Sequence, residues 1–259
     1  MNRTPISFDP SAYPVAFHAL LENTPLFDSS CSAAARVTYI PKDGGYYLKS
    51  APKGSLFKES VLTEYMSKIY LAPRVLSYLS LDRDWLLTTA AEGEDCTHAT
   101  CLASPERLCD FWAETLRTIH DLPTDGCPVQ NHTAAYLATA EANYKAGQFD
   151  LSYCDGLFDD PHKAFDYLQE HKHLLECDTL LHGDYCLPNV MCKDWRVTSL
   201  IDLGNGGVGD RHVDLYWGAW TLRYNFGTDA YRTRFFDAYG RDLVDKDRLR
   251  LISVTEVFG

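Results

Sequence analysis

Residues 180–204 read LLHGDYCLPNVMCKDWRVTSLIDLG, and three side chains in that stretch could serve one reaction: Asp184, Asn189 five residues later, and Asp202 thirteen after that. A carboxylate and an amide are hard oxygen donors that suit Mg2+, and a second carboxylate left free can accept a proton from a hydroxyl. VMCK and VTSLID are short β-branched or apolar runs separated by Asp194 and Trp195, a pattern that predicts a small hairpin. Antiparallel pairing brings the entrance and exit of a hairpin to one end, so Asp184, Asn189 and Asp202 are expected to converge. Metal-held phosphate beside a proton acceptor is what phosphoryl transfer from a nucleotide requires.

The elements that must position these groups fall into two kinds. RVTYI (36–40) and YYLKS (46–50) flank the turn PKDGG, and RVLSYLS and WLLTTA flank LDRD, so two hairpins are predicted in the first ninety residues. Between them KESVLTEYMSKIY repeats Val61, Leu62, Tyr65, Met66 and Ile69 at helical spacing. After AAEGEDCTHAT the pattern turns helical: SPERLCDFWAETLRTIH opens with Ser104 and Pro105, DPHKAFDYLQEHKHLL with Asp160 and Pro161, and three further helices follow, one ended by Gly240. Strands first and helices afterwards predict an α+β fold in two lobes, 1–91 and 92–259.

Composition narrows the function classes. The chain has 259 residues, 46% hydrophobic and 23% charged, which is that of an ordinary folded protein. No run approaches a membrane span and the N-terminal stretch lacks a signal-peptide core, so the expected location is the cytosol. Nine cysteines without a Cys-x-x-Cys pair read as buried small hydrophobes, not as a disulfide framework or zinc site. A net charge of −12 argues against nucleic acid and fits either a cationic partner or mere solubility. Residues 141–178 carry nine acids against three lysines, half of that net charge, and could form an acidic wall facing a polycation.

HGDYCLPN (182–189) resembles the catalytic loop of the aminoglycoside phosphotransferase family, His-Gly-Asp-x-x-x-x-Asn, and IDLG (201–204) resembles its metal-binding Ile-Asp-x-Gly. RTIHDLPTDGCP and GVGDRHVDLYWG extend the resemblance over nearly the whole chain, and it is greatest to the 3'-phosphotransferases of kanamycin- and neomycin-like drugs. The resemblance implies a protein-kinase-like fold, with a small antiparallel-sheet N-lobe and a helical C-lobe, that uses ATP and Mg2+. It assigns Asp184 as catalytic acceptor, Asn189 and Asp202 as metal ligands, and Lys49 as the strand lysine on the α- and β-phosphates with Glu64 as its ion-pair partner. Ser32, on the serine-bearing loop DSSCSAAAR, would meet the β-phosphate, and Thr89 and Ala91 would present backbone to adenine. Asp214 would brace the catalytic loop, with His182 in a structural role. Carboxylates for a cationic aminoglycoside would come from Asp155 and Asp159 and from Glu256.

This chain departs from the family where Tyr185, Cys186, Leu187 and Pro188 supply no acid and where Asn205 stands in place of an arginine. Two other readings stay open. One keeps the chemistry with a choline, sugar or amino-alcohol acceptor, for which Tyr153, Phe158, Trp217 and Trp220 could cage a quaternary ammonium. The other is a nucleotide-binding pseudokinase.

Overall fold

A computed structural model describes residues 3–259. In chain order its elements begin β1 (Thr4–Ile6), α1 (Val15–Leu21), β2 (Leu26–Asp28), β3 (Arg36–Ile40), β4 (Tyr46–Pro52), α2 (Phe57–Lys68), β5 (Val75–Ser80), β6 (Arg83–Thr89) and β7 (Glu94–Asp95). They continue with α3 (Ala99–Leu102), α4 (Pro105–His120), α5 (His132–Lys145), α6 (Pro161–His171), β8 (Thr179–Leu181), β9 (Val190–Lys193), β10 (Arg196–Leu200) and β11 (Gly207–Gly209). Three helices close the chain, α7 (His212–Phe226), α8 (Ala230–Gly240) and α9 (Lys246–Glu256). The two predicted N-terminal hairpins, the helix between them and the late helices all form. Helices α1 and α5 and strands β1 and β2 carry weaker sequence patterns and were not expected.

Packing divides the chain into two units. The first contains the chain as far as Asp95 together with Met191–Gly204. Its main sheet runs in the order β1-β2-β3-β4-β6-β5 and is antiparallel throughout. Side-chain alternation gives the sheet two apolar faces. Leu48 and Leu87 pack with Leu26, Ile40 and Trp85 against Tyr13, Phe17 and Leu21 around α1. Leu86 and Ala51 pack on the other face with Leu56 at the start of α2. The hairpin β9–β10, expected within the helical lobe, belongs here: β7 pairs with β9 and extends the hairpin to a three-stranded sheet. Its turn consists of Asp194 and Trp195, both left-handed at φ 52° and 60°, the two-residue geometry that matches strand twist.

The second unit comprises Cys96–Val190 and Asn205–Gly259. Trp112, Leu108 and Leu116 of α4 are fully buried, and α4 and α7 both pack on α8. A second cluster joins Ala140 of α5, Ala164 and Leu168 of α6, and Leu251 and Val254 of α9 with Phe258. Within this unit β8 and β11 form a short antiparallel pair, Leu181 opposite Gly207. All nine cysteines are free thiols; six are buried as expected, whereas Cys31 and Cys177 are exposed and Cys186 is half-buried.

Candidate active site

In the first unit the sequence puts Lys49 one residue past Leu48, so strand alternation turns it to the face carrying α2. Its register partner Leu86 lies in the cluster at the start of that helix. The Lys49 Nζ donates at 2.8 Å to Glu59 Oε2 and at 2.8 Å to Asp202 Oδ1. The expected partner Glu64 is therefore replaced by Glu59. Five residues separate the two acids, roughly 140° around a helix, so they cannot share a face. Glu59 falls on the stripe of Leu62, Thr63 and Met66 and is buried, whereas Glu64 is exposed and pairs with Lys68 at 3.1 Å. That stripe, three and seven residues beyond Glu59, was the signal in the sequence.

Burial of Lys49 works against its charge, but Glu59 and Asp202 outweigh that penalty and hold its pKa above the usual value. Burial likewise raises the Glu59 carboxyl, with Lys49 opposing. Asp202, two residues beyond β10, is 53% exposed and adopts a left-handed φ of 59°, a conformation that Asp tolerates better than most residues. Its Oδ2 takes no protein partner among the described residues.

Ser32 lies exposed in the connection between β2 and β3. That connection is tied at its base: Ser30 N–H donates to Asp28 Oδ1 at 2.8 Å and Val37 N–H to Ser30 Oγ at 2.9 Å. Thr89 ends β6, where its N–H donates to Arg74 O at 3.0 Å and its Oγ1 accepts from Arg74 N–H at 3.1 Å. Ala91, just beyond, is half-buried. Gly93 follows at φ 91°, where a Cβ would come within 2.2 Å of Cys192 O, so only glycine allows β7 to meet β9.

In the second unit the catalytic-loop sequence follows β8 directly. Gly183 sits at φ 84°, and a Cβ there would lie 2.1 Å from Asn205 O, which accounts for the glycine of His-Gly-Asp. Asp214, fully buried on α7, accepts from His182 N–H at 2.7 Å and Gly183 N–H at 2.8 Å, the bracing role expected of it. Behind it His120 Nε2 donates to Asp214 at 3.1 Å, and Tyr239 donates to His120 Nδ1 at 2.8 Å. Burial holds the His120 pKa down, so this contact joins a neutral imidazole to a carboxylate. Burial alone would raise the Asp214 carboxyl, but its hydrogen bonds, led by His120, keep it below the ordinary range. His120 and Tyr239 come from distant segments, and nothing in their spacing announced them.

Asp184 itself is half-buried. Its N–H donates to His182 Nδ1 at 3.3 Å, and Asn189 Nδ2 donates both to its backbone carbonyl at 3.0 Å and to its Oδ2 at 2.9 Å. Those two donated bonds aim the Asn189 amide oxygen away, and it has no protein partner among the described residues. Tyr185 anchors the next position: it is fully buried, stacks on Trp112 at 3.9 Å and donates to Trp112 O at 2.9 Å. Burial and the nearby Asp184 charge push the Cys186 thiol far up, which keeps it protonated.

The three expected acceptor-binding acids differ in setting. Glu256 is only 7% exposed; its Oε1 accepts from Tyr136 at 2.7 Å and Trp217 at 3.0 Å. Burial raises its pKa to about 7 against those hydrogen bonds, and it also senses the Asp184 charge. Asp155 is half-exposed and paired with Arg223 at 2.7 Å, while Asp159 is exposed and paired with Lys163 at 3.1 Å. Of the four aromatic residues considered for a cage, Tyr153, Trp217 and Trp220 pack edge to face on one another and Phe158 packs on Tyr167.

Residues 34–252 match the phosphotransferase enzyme family. A probable aminoglycoside 3'-phosphotransferase of Lactococcus lactis is 45% identical over 249 residues, which is 95% of each chain. The aminoglycoside 3'-phosphotransferase of Niallia circulans is 33% identical over 64% of each chain. Among solved structures, aminoglycoside phosphotransferase APH(3'')-Id of Streptomyces rimosus superposes with a TM-score of 0.79 at 23% identity, covering 97% of this chain and 99% of that one, a likeness of fold. The His-Gly-Asp loop, the Lys49 ion triad and the full-length similarity lead to one conclusion: this chain is a phosphotransferase of the aminoglycoside 3'-phosphotransferase family.

Proposed function

We propose that this enzyme is an ATP-dependent aminoglycoside 3'-phosphotransferase of the kanamycin-kinase type, acting in drug resistance. The observation that carries the reading is Asp184: Asn189 and the Asp214-braced backbone fix its carboxylate, and it keeps only partial burial, as an acceptor for a substrate hydroxyl proton must. Lys49, held by Glu59, is suited to the α- and β-phosphates. Ser32 would contact the β-phosphate, and the backbone at Thr89 and Ala91 would meet adenine.

The donor set fits Mg2+. Asp202 offers an unengaged carboxylate oxygen and Asn189 an unengaged amide oxygen, both hard ligands, and Mg2+ ordinarily completes its shell with substrate phosphates and water. When bound, the metal would neutralise charge on the transferring phosphates.

Direct in-line transfer follows from the nucleophiles at hand. The Cys186 thiol is held protonated and His182 Nδ1 is committed to the Asp184 N–H, so neither is poised to take up a phosphoryl group. On the acceptor side Glu256, Asp155 and Asp159 supply negative charge for ammonium groups. Tyr153, Trp217 and Trp220 are engaged edge to face in a row and Trp220 also stacks on Tyr224, an arrangement that gives the choline reading little support.

ADP release from MgATP with kanamycin, neomycin, tobramycin as a 3'-deoxy control, and choline tests the proposal. Turnover with kanamycin and neomycin but not with the other two is expected. Choline turnover with silent aminoglycosides would overturn it.

A further inference from the structure

Within the second unit, α7 and the segments around Asp155 and Asp229 form a groove lined by Asp155, Tyr216, Trp220, Arg223, Asp229 and Arg232. Its acids are already answered by its own cations. Arg223 Nη1 sits 2.7 Å from Asp155 Oδ1, and Arg232 approaches Asp229 at 3.9 Å. Asp155 ends a short 3-10 turn in a left-handed conformation at φ 51°. Tyr216, which lines the groove, donates to Tyr153 O at 2.9 Å and packs edge to face on Trp217, whose Nε1 donates to Glu256 at 3.0 Å, so the groove adjoins a second acid expected to meet the acceptor.

We propose that Arg223 is a specificity-determining residue that competes with the acceptor's ammonium groups for Asp155. This rests on the function proposed above. An incoming ammonium must displace or share the guanidinium before it gains the Asp155 charge, so each polycationic acceptor binds more weakly than the acidic lining alone would allow. Both partners are about half-exposed, so the competition has the size of a surface ion pair and is screened by salt.

The test compares the full-length parent, Arg223→Ala, Asp155→Asn and the double variant, reading kanamycin affinity by titration calorimetry beside steady-state ADP release. Arg223→Ala should bind kanamycin about fivefold more tightly and lower its KM similarly, with kcat and the ATP KM unchanged. The gain should vanish in the double variant and shrink at high salt. Affinity that is unchanged or weaker in Arg223→Ala, or a gain that persists without the Asp155 charge, overturns the proposal. A parent that binds kanamycin without turning it over removes the proposed activity but leaves the binding comparison decisive, and absence of binding in every variant removes both.

Discussion

The two units hold their functional carboxylates in opposite ways. In the first, Asp202 is half-exposed and, among the described residues, is bonded to a lysine that is itself shared with Glu59, an arrangement built from charge. In the second, Asp184 is set by an amide and by a loop whose backbone is fastened to the buried chain Asp214, His120 and Tyr239, an arrangement built from directed hydrogen bonds. A charge cluster can exchange partners when phosphate and metal arrive, whereas a hydrogen-bonded loop cannot shift without breaking buried bonds. Nucleotide handling therefore suits the first and proton acceptance, which tolerates little misplacement, suits the second.

The largest effect should come from Asp184, the proposed proton acceptor: Asp184→Asn is expected to lower kcat on the order of a thousandfold or more, read by steady-state ADP release. Asp214→Ala should break the comparison from behind. It strands His120 and two backbone N–H groups, and urea titration should show a loss of about 3 kcal/mol of stability together with a fall in kcat. In the first unit Glu59→Gln should raise the ATP KM roughly tenfold by loosening Lys49, a charge-assisted bond's worth, while Glu64→Gln leaves it unchanged. Equal effects at the two glutamates would refute the helix-phase argument.

Much of this was legible in the sequence because it is local. The hairpin strands, the α4 and α6 start signals and the His-Gly-Asp…Asn spacing each depend on neighbours within a few residues. Glu59 was readable in principle from its phase with Leu62 and Met66, but an acid on an apolar stripe looks like an error until the strand lysine facing it is known. The Asp214–His120–Tyr239 chain and the Asp155–Arg223 pair join segments 68 to 119 residues apart, and only packing reveals them. The affiliation of β9–β10 with the first unit was hidden for the same reason, since β7, its partner, is two residues long.

A further expected effect concerns pH and is graded, not all-or-none. Glu256 has a folded pKa of about 7 against 4.5 for an ordinary glutamate, because burial outweighs its hydrogen bonds. The native state therefore keeps a proton that the unfolded chain releases, and stability falls as pH rises from about 4.5 to 7, by roughly 3 kcal/mol at most. Acceptor KM should move the other way, improving as Glu256 ionises near pH 7. Glu256→Gln should flatten both profiles, measured by thermal unfolding and by kanamycin KM from pH 5.5 to 8.5.

In the proposed division of labour Asp184 serves the reaction and Asp202 the metal-bound nucleotide. The most direct test is Mg2+-dependent binding of a non-hydrolysable ATP analogue to Asp184→Asn and Asp202→Ala, measured by calorimetry beside their turnover. The expected result is parent-like affinity without turnover for Asp184→Asn and loss of the Mg2+-dependent affinity for Asp202→Ala. Weakened nucleotide binding in Asp184→Asn, or Mg2+-dependent affinity retained in Asp202→Ala, would contradict it.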